Sequence, residues 1–73
     1  MQVHAPISAA VLKIRLDLLG EERTAAAASG LDSNDTYMRD LEDEATAVHA
    51  AYVGAAVTEI AMLRARLGGP LQG

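Results

Sequence analysis

Cysteine, tryptophan and phenylalanine are all missing from this 73-residue chain, proline occurs only at positions 6 and 70, and six basic side chains face ten acidic ones. Each shortage excludes something. Without cysteine there is neither a disulfide framework nor a thiolate metal site to compensate for a thin core. With Tyr37 and Tyr52 as the only aromatic residues, a globular core built on large rings gives way to close packing of helices rich in alanine. The formal net charge of −4 argues against nucleic acid as a partner, since phosphate binding needs a positive surface, and against adsorption to an anionic membrane. No transmembrane or signal segment is read from the sequence: the apolar run from Ala5 to Leu19 is broken by Lys13, Arg15 and Asp17, with no basic stretch before it, so the cytoplasm is the expected compartment. The length allows one domain, near the lower limit at which a single core sustains a fold.

What is present is helix-forming sequence. From Thr36 to Leu67 the chain is dense in alanine, leucine, methionine, glutamate and arginine, which lose little freedom in a helix, and Gly54 is its one glycine. At 100° per residue, Met38, Leu41, Ala45, Val48, Tyr52, Ala56, Leu63 and Leu67 fall on one stripe. The first half of this helix is polar elsewhere, through Arg39, Asp40, Glu42, Asp43 and Glu44. The second half is not: Val53, Val57, Ile60 and Met62 spread apolar surface round most of the circumference, which calls for cover on more than one side.

Upstream, residues 1–6 read as an extended lead-in, with Pro6 suited to the first helical position. A first helix is expected over about residues 7–29. Ile7, Val11, Ile14, Leu18 and Ala25 make one stripe, and Leu12, Leu16 and Leu19 a second about 120° away. Lys13 and Asp17 stand at the i,i+4 spacing that permits weak pairing. Gly20 sits mid-helix at a cost of about 1 kcal/mol relative to alanine. Gly30 suits a left-handed stop, and the turn-forming run Asp32-Ser33-Asn34-Asp35 follows. The loop is expected at 30–33, with Ser33 as N-cap of a second helix over about 34–67, and Gly68-Gly69-Pro70 begins a tail at 68–73. So short a connection joins antiparallel neighbours.

The expected fold is therefore all-α: a two-helix hairpin that dimerises into a four-helix bundle. At 1.5 Å per residue the helices span roughly 35 and 48 Å, leaving the second to overhang the first. Two features ask for a further partner, the second stripe of helix 1 and the apolar overhang. The expected oligomer or partner interface is Leu12, Leu16, Leu19, Val53, Val57, Ile60, Met62, Leu63 and Leu67. The small face of helix 2 (Ala47, Ala50, Ala51, Gly54, Ala61 and Ala65) fits either a closer helix contact or an ordinary exposed helix surface. Arg15, His49, Glu59 and Arg66 are the candidate buried polar residues. A buried Glu59 would need a partner such as Arg15 or Arg66; at the edge of the overhang it would reach water instead.

Little chemistry is suggested. Inward carboxylates and histidines bind metals in helical bundles through glutamate three residues before histidine, but Thr46 holds that position relative to His49. The acidic run Asp40 to Glu44 lacks calcium-loop spacing. No glycine loop opens a helix to hold phosphate, and no nucleophile–base pair can be drawn. The segment Leu18-Leu19-Gly20-Glu21-Glu22-Arg23 resembles the first helix of all-helical chorismate mutases; the remaining helix pattern and the length depart from that family, so no catalytic residue is carried over. No cofactor and no metal are assigned. The expected function is a noncatalytic self-associating module acting as adaptor, scaffold or small regulatory subunit. The alternatives are an obligate subunit of a hetero-complex, or a small-molecule or metal-binding bundle with its site near His49, Tyr52 and Glu59.

Overall fold

The computed structural model describes residues 7–68, and all of them except Ile7, Ser8, Gly30 and Asn34 are helical. Helix α1 spans Ala9–Ser29, a 3-10 turn covers Leu31–Ser33, and helix α2 runs Asp35–Gly68. The chain is an all-α hairpin, as expected, with its boundaries moved by one or two residues. Those moves follow from the caps. Ser8, extended at φ −71° and ψ 155°, accepts a hydrogen bond on its hydroxyl from the Val11 N–H, so helical geometry starts at Ala9 and not at Ile7. Pro6 and the expected tail beyond Gly68 lie outside the described residues.

Gly30 adopts φ 87°, a conformation that costs a residue with a side chain but not glycine. Its N–H reaches back to the carbonyl oxygens of Ala26 and Ala27 and closes α1. The N-cap of α2 is Asn34, not Ser33: the Asn34 side-chain oxygen accepts from the Tyr37 N–H at 3.0 Å. Ser33 instead donates its hydroxyl to the Gly30 carbonyl at 2.9 Å, tightening the 3-10 turn.

The core is a single seam between the helices. Leu12, Leu19 and Ala26 of α1 and Leu41 and Val48 of α2 are its buried residues. Leu16, Tyr37, Met38, Ala45, Tyr52 and Ala55 pack partly buried around the cluster. The alternating spacing of three and four residues along both contributions is that of knobs-into-holes packing between antiparallel helices. It corrects one expectation directly. Leu12, Leu16 and Leu19 form the face that meets α2 within the chain, while Ile7, Val11, Ile14 and Leu18 stay more than half exposed.

The physical reason lies in the flanking charges. Arg15 and Arg23 border the leucine stripe and reach Glu44 and Glu42 of α2 at 3.4 and 2.8 Å. Glu21 borders the far edge of the other stripe, and turning that stripe inward would bring it towards the same two glutamates; Glu22, on the edge the stripes share, meets Tyr37 of α2.

Candidate functional site

The unfinished parts of the hairpin are the candidate site, and they begin where α1 ends. The carboxylate of Glu59 accepts the Ala9 N–H at 2.8 Å, fifty residues away in sequence. Ala9 opens α1, so Glu59 satisfies one of the amide groups that a helix start leaves without an internal partner, and its charge suits the positive end of the helix. Neither expected arginine takes this role: Arg15 is engaged by Glu44, and Arg66 is exposed in the last turn of α2. The contact also fixes the register. With Ala9 opposite Glu59, residues 60–68 extend beyond α1 by about 13 Å.

On one side of the seam a groove of about 620 Å³ is lined by Ile7, Ser8 and Leu12 of the α1 end and by Ala51, Gly54, Ala55, Thr58, Glu59 and Met62 of α2. Its walls are mostly apolar, with Ser8, Thr58 and Glu59 the polar residues among them. A side chain added at Gly54 would meet nothing within 4 Å. The bare stripe of α1 lies on this same side, because Ile7, Val11, Ile14 and Leu18 share one angular position.

On the other side of the seam, His49 lines a shallow hollow with Leu16, Arg23, Glu42, Ala45 and Thr46. Val53, Ile60 and Leu67 lie near the same angular position as His49 and are 45–67% exposed. The expected interface residues are thus distributed. Leu12, Leu16 and Leu19 belong to the seam, Met62 to the groove, and Val53, Ile60 and Leu67 to the opposite side. Val57 and Leu63 are exposed between them at 61% and 50%.

None of the four candidate buried polar residues is buried. Arg15, His49, Glu59 and Arg66 are all exposed, and the expected coincidence of His49, Tyr52 and Glu59 in one site does not form, since His49 and Glu59 line opposite hollows. Among the described residues no group of three or more histidine, cysteine or acidic side chains is placed to hold a metal ion. Sequence reasoning missed the bare Ile7, Val11, Ile14 and Leu18 stripe as the surface left over; Glu21 on its far edge was the signal that could have found it.

Polar contacts elsewhere edge the seam. Tyr37 donates its hydroxyl to Glu22 at 2.5 Å. That hydrogen bond, together with burial, raises the phenol above its usual range, since ionising it would lose the bond and set two negative charges together. Lys13 is likewise raised, by its hydrogen bond and charge attraction to Asp17 at 2.8 Å. Lys13 and Asp17 are exposed i,i+4 neighbours on α1, away from the groove.

One further property of α2 bears on the site. Its length and composition would allow it to cross a membrane, unlike the charge-broken run from Ala5 to Leu19. In the hairpin that apolar stretch supplies Val48 and Tyr52 to the seam and contains the charged Glu59 cap.

Comparison with protein-family models, with curated proteins and with solved structures finds no match to this chain.

Proposed function

We propose that the protein is a noncatalytic, self-associating helical module that works as an adaptor, scaffold or small regulatory subunit, its hairpins joining as a homodimer into a four-helix bundle. The observation that carries the proposal is the apolar stripe of α1, in which Ile7, Val11, Ile14 and Leu18 are each 55–61% exposed in the single chain. Isolated exposed leucines are ordinary on protein surfaces; a continuous stripe joined to an apolar groove asks for cover. A single seam between two helices leaves these residues uncovered, and association is one means of burying them. The cytoplasm, with no nucleic acid and no membrane as partner, goes with this reading through the acidic charge.

A second reading has its own support. Val53, Ile60 and Leu67 are exposed on the side away from the groove, and a groove or helix of a different protein could cover them, as partner-binding amphipathic helices do.

Light scattering across a dilution series tests both. A stable dimer at micromolar concentration is expected. A folded monomer at all concentrations would overturn self-association, and a poorly folded or aggregating chain would turn the case towards the second reading. Partition of the protein into neutral-lipid vesicles would overturn both in favour of α2 as a membrane segment.

A further inference from the structure

The side of the hairpin that carries the groove has two unlike halves. Helix α1 contributes the large residues Ile7, Val11, Ile14 and Leu18. Helix α2 contributes Ala47, Ala51, Gly54, Thr58, Ala61 and Ala65, which recur at alternating spacings of four and three residues, the period of a coiled-coil seam, and are all exposed. Small residues at that period allow two helix backbones to approach closely. The face is two helices wide and about 30 Å long, on the order of 600 Å² per copy, within reach of the smaller stable interfaces.

Charge then distinguishes the ways in which two copies could meet. Residues 20–44, the loop end, carry eight acidic and two basic side chains, a net −6; the rest of the described residues carry two acidic and four basic, a net +2. The two outermost basic groups are Arg64 and Arg66, in the final turns of α2. Copies stacked with their loops at the same end would set −6 against −6. Copies stacked with their loops at opposite ends set each loop end over the arginine-bearing end of the other.

We infer that two copies of this chain dock through the groove-bearing face in an antiparallel manner, with the small-residue face of α2 against its own copy and the acidic loop end of each lying over the basic overhanging end of the other, where Arg66 stands nearer the docked face and Arg64 lies on its far side. The inference rests on the self-association proposed above and adds its face and its direction. With the two-fold axis near the middle of α2 and Ala9 level with Glu59, Ile14 of each copy meets Leu18 of the other beside the α2 pair and Ile7 lies over Ala25, so the inner part of the stripe is covered together with the small face. Asp43 and Ala61 share an angular position on α2 and stand almost equally far on either side of that axis. Each therefore approaches the other residue across the dimer, and neither approaches itself.

Because the chain has no cysteine, single-cysteine variants report this cleanly. Asp43→Cys and Ala61→Cys are prepared separately, checked by light scattering for the wild-type mass, and treated with a short bifunctional maleimide alone and mixed. The expected result is a cross-linked dimer in the mixture and at most traces of one with either variant alone. A dimeric protein that gives no mixed cross-link would overturn the antiparallel face while leaving self-association standing; a wild-type monomer removes both. A second variant reads the charge argument. Arg64→Glu combined with Arg66→Glu should weaken the dimer about ten-fold or more, exposed pairs being individually weak, and reversal of the partner acids, Asp40→Lys with Asp43→Lys, should restore association only when the two variants are mixed. Unchanged association of the doubly reversed arginine variant would overturn the direction proposed.

Discussion

The two apolar stripes of α1 are close to equal in length and hydrophobicity, and they end up in opposite environments. Leu12 and Leu19 are 6–7% exposed, while Val11 and Leu18, each adjacent in sequence to one of them, are 55–58% exposed. What separates them is the company each keeps. The buried stripe is bordered by arginines that meet glutamates on α2 and ends in Ala26, whose small side chain lets the helices converge at the turn. The bare stripe is bordered on its far edge by Glu21. Where two faces offer similar burial, weak contacts at the edges decide which one turns inward, and the loser becomes the surface on which a partner can act.

Neighbouring leucines give the largest test of that contrast. Leu19→Ala should cost about 2–5 kcal/mol in chemical denaturation, enough to leave so small a chain largely unfolded, whereas Leu18→Ala should leave the single hairpin within about 0.5 kcal/mol of wild type. In a self-associating protein, the Leu18 variant should instead lose stability only as concentration rises into the range where the wild type pairs. Equal losses at both positions under dilute conditions would mean that the seam is not the one described.

Glu59 sharpens the comparison at the open end of the seam. Glu59→Ala removes the cap on Ala9 and should lower stability by about 1 kcal/mol, the usual worth of an N-terminal cap, with amide exchange at residues 9–12 rising first. On the third side of α1, Gly20→Ala should raise stability by up to about 1 kcal/mol, because a side chain there meets nothing within 4 Å and alanine is the better helix former. A loss at that position would point to an unrecognised close approach. The smallest effect belongs to Tyr37, on the edge between the stripes. Its folded pKa is raised above the ordinary 10.0 by the bond to Glu22, so the protonated phenol stabilises the fold fully below that value and ceases to as pH rises through the raised one. Tyr37→Phe should therefore show a slightly lower melting temperature than wild type at neutral pH, with the gap closing in strongly alkaline solution.

Much of the fold was legible because it is local. The stop at Gly30, the turn-forming run after it and the continuous helix pattern from Thr36 follow from backbone preferences that a few adjacent residues express. The overhang followed from the two lengths. The choice between stripes was not read, because periodicity measures how apolar a face is and the two are alike; it needed the flanking arginines to be set against Glu42 and Glu44 across the turn. Glu59 was singled out for the right reason, a carboxylate on an apolar face, but its partner is a main-chain N–H fifty residues away, and every residue bears such a group until a helix boundary leaves one unpaired. Ser8 moved that boundary.

The turn at Gly30 also orders events in time. The cross-helix contacts are spaced outward from it: Tyr37 with Glu22 and Arg23 with Glu42 lie nearest the turn, then Arg15 with Glu44, and last Ala9 with Glu59. Once an inner contact has closed, the next outward one adds only a short further loop, so the hairpin can zip from the turn to its tips without a slow search between distant segments. Opening runs the other way. The tips separate first and most often, and they include Ile7, Glu59 and Met62, three of the residues that line the groove. The surface most in need of a partner is thus also the last to assemble, and a bound copy would hold closed the part of the hairpin that its own turn secures least.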